Sequence, residues 1–340
     1  MLSIWKANSI TALCSHQLPT AYFSKLETLK VSKCGKLRNL MSPSVARGLL
    51  NLRMLYIKYC QSMEEVIIEE HGDEIMTKEP LFPQLEELEL ENLPKLRHFI
   101  LTKQALEFPF LKFEAIHYCP EMKMLVQQRS VSISSLKSAN NDDELKVVDL
   151  NKAMFNSKVS CPNLEMLSIW KANSITALCS HQLPTAYFSK LKALGVQNCG
   201  KLRHLMSPSV ARGLLNLQIL GIKGCQSMEE VITEEEQEGE ENMTNEPLFP
   251  LLEELILDKL PKLGHFFLTK RALEFPFLRK VKIRKCPEMK MFVQHGSVST
   301  PSLEIVNNDD EVKVDDLNEW IHQRFNSKVC LVVLNDCITN

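Results

Sequence analysis

One pattern recurs along the whole sequence and constrains the fold more than any other feature: L-x-x-L-x-I-x-x-C-x-x-L, where x is variable. Residues 191–202 are one copy, and residues 217–228 are the next. Most copies begin 25 to 28 residues after the previous one, and two longer steps, of 33 and 35 residues, contain acidic segments. The copies open at Leu26, Leu52, Leu85, Leu111, Leu136, Leu164, Leu191, Leu217, Leu252, Leu278 and Leu303.

A motif of this kind at this period predicts a leucine-rich-repeat solenoid of the α/β class. The alternating centre of each copy predicts a short strand whose apolar residues point into the core while its x residues face solvent. The cysteine follows the strand, where a small apolar side chain fits a buried turn. Stacked copies predict a curved horseshoe with one parallel sheet on the concave face and irregular or short helical segments on the convex face.

The repeats are themselves duplicated. The first 26 residues recur without change at residues 166–191, and most other matches lie 165 or 167 positions apart. We therefore predict a first block at 1–163 that is truncated at its N-terminus, a second block at 164–329, and an atypical tail at 330–340, all in one continuous solenoid. The copies at Leu136 and Leu303 are degenerate.

The segments that return from one strand to the next are predicted to be mostly irregular. Residues 42–50 and their twin 207–215 start with serine and proline, which favour a helix N-terminus. Residues 101–106 and 268–273 are a second pair of expected short turns. The acidic runs at 64–74 and 229–241 are interpreted as solvated loops, with docking of a basic partner as the alternative.

Composition excludes several classes of function. The net charge of -2 argues against a general nucleic-acid binder, and no apolar run is long enough to span a membrane. The 11 cysteines recur mainly at the motif position, which indicates reduced core thiols in a cytoplasmic protein and not disulfides.

Histidine and cysteine also occur as close pairs, namely Cys14 with His16, Cys179 with His181, and His117 with Cys119. Zinc requires about four convergent ligands, whereas these pairs lie in separate repeats. No serine-nucleophile elbow is present either. We therefore expect no metal, no cofactor, no catalytic residue and no enzymatic activity.

The exposed x positions of the strands are the best candidates for a functional site, because the concave sheet is where solenoids usually bind their partners. These positions differ between the two blocks while the core positions hardly change. They place an acidic patch next to an aromatic one in the first block and next to a basic one in the second. The predicted protein-binding residues are Trp5, Lys30, Tyr56, Lys58, Glu87, Glu89, Glu91, Phe113, His117, Trp170, Gln197, Lys223, Glu254, Asp258, Lys280, Lys282 and Arg284.

Two strings, C-x-S-M-E-E-V-I and L-F-P-x-L-E-E-L, resemble the repeat region of plant disease-resistance proteins with coiled-coil, nucleotide-binding and leucine-rich-repeat domains. The resemblance covers nearly the whole chain. It implies an intracellular immune role in which the repeats bind a pathogen effector, a guarded host protein or the receptor's own nucleotide-binding domain. No G-x-x-x-x-G-K-[ST] string occurs, so the resemblance is to the repeat region alone.

Two alternatives remain open. One is a stand-alone adaptor or decoy built from the same repeats. The other is the substrate-recognition arm of a ubiquitin ligase, although no F-box-like helical segment is visible in the sequence.

Overall fold

The computed structural model describes residues 1–14, 23–68, 80–101, 106–122, 126–127, 159–179, 188–233, 247–269, 272–294, 296–307 and 317–323.

The strands in this part of the chain are β1 (Leu2–Trp5), β2 (Ala12–Cys14), β3 (Thr28–Ser32), β4 (Asn39–Met41), β5 (Met54–Lys58), β6 (Glu65–Ile67), β7 (Glu87–Glu91), β8 (His98–Leu101), β9 (Leu106–Glu107), β10 (Phe113–His117), β11 (Val126–Gln127), β12 (Val159–Ser160), β13 (Met166–Trp170), β14 (Ala177–Cys179), β15 (Ala193–Gln197), β16 (His204–Met206), β17 (Ile219–Lys223), β18 (Glu230–Ile232), β19 (Glu254–Asp258), β20 (His265–Leu268), β21 (Leu273–Glu274), β22 (Lys280–Arg284), β23 (Val293–Gln294), β24 (Val298–Ser299) and β25 (Ile305–Val306). The helices are α1 (Pro43–Gly48) and α2 (Pro208–Gly213), and residues 317–323 form a further helical segment.

One large parallel sheet takes a single strand from each repeat, in the order β1-β3-β5-β7-β10-β13-β15-β17-β19-β22-β25. In most of these strands the alternation has the predicted sense: in β5, Leu55 and Ile57 are fully buried, whereas Tyr56 between them is half-buried. Every second residue of the sheet therefore enters a continuous core, as the motif requires. The predicted leucine-rich-repeat solenoid is confirmed.

The turn after each main strand uses a left-handed backbone residue. Tyr59 has a φ of 57° and donates its backbone N–H to the Glu91 carbonyl at 2.8 Å, which extends the sheet pairing beyond the strand end. The next residue, Cys60, is fully buried, and its thiol lies 3.5 Å from the Lys58 carbonyl, to which it donates. The cysteine position is thus a buried turn with a weak donor, as its chemistry suggests.

A second set of short strands, which the sequence analysis did not predict, follows the main strands. They form two five-stranded parallel sheets, β11-β8-β6-β4-β2 and β14-β16-β18-β20-β23. In β6, Val66 and Ile67 are adjacent and both fully buried. The return segments are therefore more regular than expected.

Helix α1 and its twin α2 lie where short helices were predicted, but each is only six residues long. Ser42 is the N-cap of α1 and accepts a hydrogen bond from the Val45 amide at 3.5 Å, and Pro43 occupies the first turn. Of the expected turn at 101–106, residues 102–105 lie outside the described residues, and of the turn at 268–273, residues 270 and 271 do; Leu273 begins β21. Leu101 and Leu268 are the last residues of strands β8 and β20.

The two blocks meet where β10 pairs directly with β13, with Phe113 opposite Met166. The degenerate copy at Leu303 supplies β25, the last strand of the main sheet. Leu136, the larger part of each acidic run and the tail at 330–340 lie outside the described residues.

The helical segment 317–323 packs on the last repeat and was not foreseen. Leu317 and Ile321 are buried in the same core as the repeats. The Asn318 side-chain oxygen accepts from the backbone amides of Phe292 and Val293 at 2.8 and 2.9 Å. The segment thus covers apolar surface and satisfies backbone donors at the end of the second small sheet.

A row of alternating charges, which we call the charge ladder, crosses the main sheet at the end where its strands begin. It consists of the residue before each main-sheet strand from β3 to β15, and the backbone amide of each member donates to the carbonyl of the previous member at 2.8 to 2.9 Å. Side-chain pairs join Arg53 to Glu86 at 2.7 Å, Lys112 to Glu86 at 3.2 Å, and Lys192 to Glu165 at 2.9 Å. Its members in order are Glu27, Arg53, Glu86, Lys112, Glu165 and Lys192.

Candidate protein-binding face

The residues of the main sheet that point away from the core form three parallel rows, which together we call the sheet face. The first row is Thr28, Met54, Glu87, Phe113, Met166, Ala193, Ile219, Glu254 and Lys280. The middle row is Ser3, Lys30, Tyr56, Glu89, Ala115, Ser168, Gly195, Gly221, Ile256 and Lys282. The third row is Trp5, Ser32, Lys58, Glu91, His117, Trp170, Gln197, Lys223, Asp258 and Arg284.

The structure places all the predicted protein-binding residues on this face, because a period of two in the sequence becomes one side of the sheet. Trp5 is the most exposed aromatic residue among them, with 60% of its surface accessible. The Lys6 ammonium lies 4.3 Å from its ring centroid. The acidic residues of β7 lie beside β10, and those of β19 lie beside the basic strand β22, so the predicted neighbouring patches are brought together.

The carboxylates of β7 are held by hydrogen bonds and ion pairs from the preceding repeat. The Lys58 ammonium lies 2.7 Å from a Glu89 carboxylate oxygen and 3.0 Å from one of Glu91. The phenol of Tyr59 donates to Glu91 at 2.8 Å. Although burial alone would raise it, these hydrogen bonds from Tyr59 and Lys58 lower the pKa of Glu91. The acidic patch is therefore a bonded network and not a free cluster of carboxylates.

Strand β22 carries cations at the outward positions where β7 carries carboxylates. Two of these cations, Lys280 and Arg284, are exposed. The third, Lys282, is half-buried, and its ammonium lies 3.3 Å from the Glu254 carboxylate on β19. This strand therefore presents positive charge outward, available to an acidic partner.

An aromatic cluster occupies the junction of the two blocks. The rings of Tyr118 and Trp170 have centroids 4.5 Å apart, and the Lys171 ammonium lies 4.5 Å from the Tyr118 centroid. The ring of His117 meets Trp170 edge-on at 5.9 Å, and its Nε2 lies 3.0 Å from the Ser168 hydroxyl. Sequence reasoning selected His117 and Trp170 but missed Tyr118, because Tyr118 lies in the turn after the strand.

Strand β10 departs from the motif in two ways. Ala115 was expected on the surface, but only 1% of it is exposed, because its methyl group is shorter than the side chains that surround it. Glu114, which points inward at the motif's second leucine position, was not singled out. It is 5% exposed between Leu88 and Leu167, and burial raises its pKa to about 7. The sequence carried this signal, since the equivalent residue of the second block is Val281.

The described residues contain no group of three or more His, Cys, Asp or Glu side chains that could hold a metal ion. In the pair of His117 and Cys119, the buried Cys119 thiol lies 3.4 Å from the His117 carbonyl, to which it donates. Burial raises its pKa to about 12, which disfavours the thiolate needed for a ligand or nucleophile. His16 and His181 lie outside the described residues. In the described part of the chain, no helix is long and apolar enough to cross a membrane.

The plant disease resistance protein RPS2-like leucine-rich-repeat family matches residues 2–138 and 162–298. The chain belongs to this family. The two matches fall one in each block, so both copies of the duplication carry the repeats of the family. A probable disease resistance protein from Arabidopsis thaliana is 34% identical over 103 residues, which is 30% of this chain and 10% of that protein. The matched region thus spans about a tenth of that relative's length.

Proposed function

We propose that this chain is a non-enzymatic protein-recognition domain of plant intracellular immunity, acting in the cytoplasm through its sheet face. Its partner would be a pathogen effector, a guarded host protein, or the nucleotide-binding domain of a full-length receptor. Binding would shift the balance between inactive and active receptor states by the difference in affinity for the two states.

The divergence of the sheet face over an unchanged core carries this proposal. Leu55 and Ile57 correspond to Leu220 and Ile222, and all four are fully buried. Between them, an outward tyrosine in the first block becomes Gly221 in the second. The buried residues supply most of the stability, so variation concentrated at the outward positions is typical of a surface that selects its partner.

The charge pattern supports a protein partner whose surface carries the complementary charges. Strand β22 presents Lys280, Lys282 and Arg284, where the equivalent strand of the first block presents Phe113, Ala115 and His117. Rim charges of this kind speed association and reject like-charged competitors more than they add affinity. The basic strand would therefore choose among partners, with the neighbouring residues supplying contact area.

Charge reversal tests the proposal. The full chain, fused to a proximity-labelling enzyme in plant cells, is compared with the K280E/K282E/R284E variant. We expect the variant to lose its main labelled partners. The matched control is K36E/K201E/K290E, which makes the same change in net charge at exposed lysines in turns outside the sheet. Unchanged partner recovery in the first variant, or equal loss in the control, would contradict binding through this face.

A further inference from the structure

The middle row of the sheet face holds only small residues on three consecutive strands at the start of the second block. Ser168, Gly195 and Gly221 follow one another on β13, β15 and β17. We call this line of small residues the trough. In the first block the positions that correspond to the two glycines hold Lys30 and Tyr56, whose ammonium and ring lie 5.2 Å apart.

The space above the two glycines is open. A Cβ atom built on Gly195 or on Gly221 would meet no other atom within 4 Å. Steric crowding therefore does not explain either glycine. Glycine inside a strand weakens the strand and often marks a place where a ligand or another backbone approaches closely.

The walls of the trough are unusually apolar for an outward surface. Met166 and Ile219 in the first row are 45% and 43% exposed. On the other side lie Trp170, which belongs to the aromatic cluster, and Gln197. A soluble protein rarely leaves several large apolar side chains exposed around a depression, so their presence indicates a contact surface.

The two ends of the trough differ in charge. From β17 onward the face carries four basic side chains, Lys223, Lys280, Lys282 and Arg284, against two acidic ones, Glu254 and Asp258. At the β7 end, three carboxylates face the single ammonium of Lys58. The face is therefore positive at the β22 end and negative at the β7 end.

The dimensions fit a short extended segment. Neighbouring strands are about 4.8 Å apart, so the three floor residues span about 10 Å, the length of about three extended residues at roughly 3.3 Å each. We propose that the trough binds an extended protein segment of about three apolar residues followed by acidic residues, with its acidic end towards β22. This inference rests on the proposed function and specifies the chemistry of the partner.

The first test selects random linear peptides displayed on phage against the full chain. We expect the enriched peptides to carry an apolar run followed by aspartate or glutamate. The G195K and G221Y variants, which restore the first block's residues at these positions, should weaken their binding roughly tenfold or more. Ser3→Tyr, at an exposed middle-row position outside the trough, is the matched control and should leave binding unchanged.

A second measurement does not depend on how the variants fold. An enriched peptide carrying a photoreactive apolar side chain is cross-linked to the unmodified chain, and we expect the products to map to Met166 and Ile219. Failure to enrich apolar–acidic peptides, full binding by folded G195K and G221Y, or cross-links elsewhere would each overturn the trough as a binding site. The proposed function is judged separately, since the charge-reversal experiment measures the recovery of cellular partners and leaves Gly195 and Gly221 unchanged.

Discussion

The phenol of Tyr56 donates a 2.6 Å hydrogen bond to the carboxylate of Glu87 on the neighbouring strand. Burial of the phenol and this hydrogen bond together raise the pKa of Tyr56 to about 12. The protonated tyrosine is therefore part of the hydrogen-bonded network that holds the carboxylates of β7. In the second block the equivalent residue is Gly221, so Glu254 has no such donor on the preceding strand.

Tyr56 should make the chain lose stability in alkaline solution. The folded pKa is above the ordinary value of 10.0, so the folded state holds the proton more tightly. The stabilisation is complete below pH 10 and is lost as the pH rises towards about 12. Ultraviolet absorbance of the phenolates should show a late-titrating group that is absent in Tyr56→Phe. An unchanged titration curve in the variant would show that the phenol is not held in this way.

Glu114 should make stability fall between weakly acidic and weakly alkaline pH. Its folded pKa of about 7 exceeds its ordinary value of 4.5, so its contribution is complete below pH 4.5 and is lost as the pH rises through 7. The full difference is about 3 kcal/mol. Urea unfolding at both ends of this range should show a flatter pH dependence for Glu114→Gln. Glu114→Val, which copies Val281, should be more stable than the natural chain above pH 7. Parallel pH profiles for all three proteins would contradict this account.

The motif cysteines should resist alkylation until the chain unfolds. Cys60 and Cys119 are fully buried, and burial raises their pKa values to about 11 and about 12. At neutral pH almost no thiolate forms, so iodoacetamide should label both at least 100-fold more slowly than in urea, by roughly the factor that loss of the thiolate imposes. Mass spectrometry of the two cysteine peptides gives the rates. Native labelling as fast as in urea would mean that the turns open readily.

Gly224→Ala should destabilise the second block, and the residues at the equivalent positions of the first block suggest a compensating double substitution. Gly224 has a φ of 67°, and an added Cβ would lie 2.1 Å from the side-chain oxygen of Asn198. Because that oxygen ends a flexible side chain, we expect a loss of only about 1 kcal/mol in the free energy of unfolding. The double variant N198K/G224Y copies Lys33 and Tyr59, which sit at these positions in the first block with φ values of 56° and 57°. It should regain most of the stability in thermal unfolding, and equal losses in both variants would exclude the clash.

The sequence predicted the main sheet and its outward face correctly because the same alternation sets both. Leu55, Tyr56 and Ile57 point in, out and in, and no other arrangement buries both apolar residues. The second sheets escaped prediction because strands such as β6 are three residues long and bury adjacent residues, so they carry no alternation. The trough was not predicted, because a glycine in a strand indicates from the sequence alone only a weak strand residue. The trough depends on Gly195 and Gly221 lying opposite each other on neighbouring strands, which the strand pairing shows.

The charge ladder has a consequence for how a duplicated chain assembles. Strands β3 and β15 have nearly interchangeable cores, so either could in principle be incorporated beside the neighbours of the other. The residue before β3 is Glu27, whereas the residue before β15 is Lys192. Exchange would set Glu27 against Glu165 and Lys192 against Arg53, replacing attraction by repulsion at both places. Each exposed pair adds little to stability, because solvent screens its attraction. The charge ladder therefore acts mainly on specificity: it favours the natural position of each of the two similar strands over the exchanged position during folding.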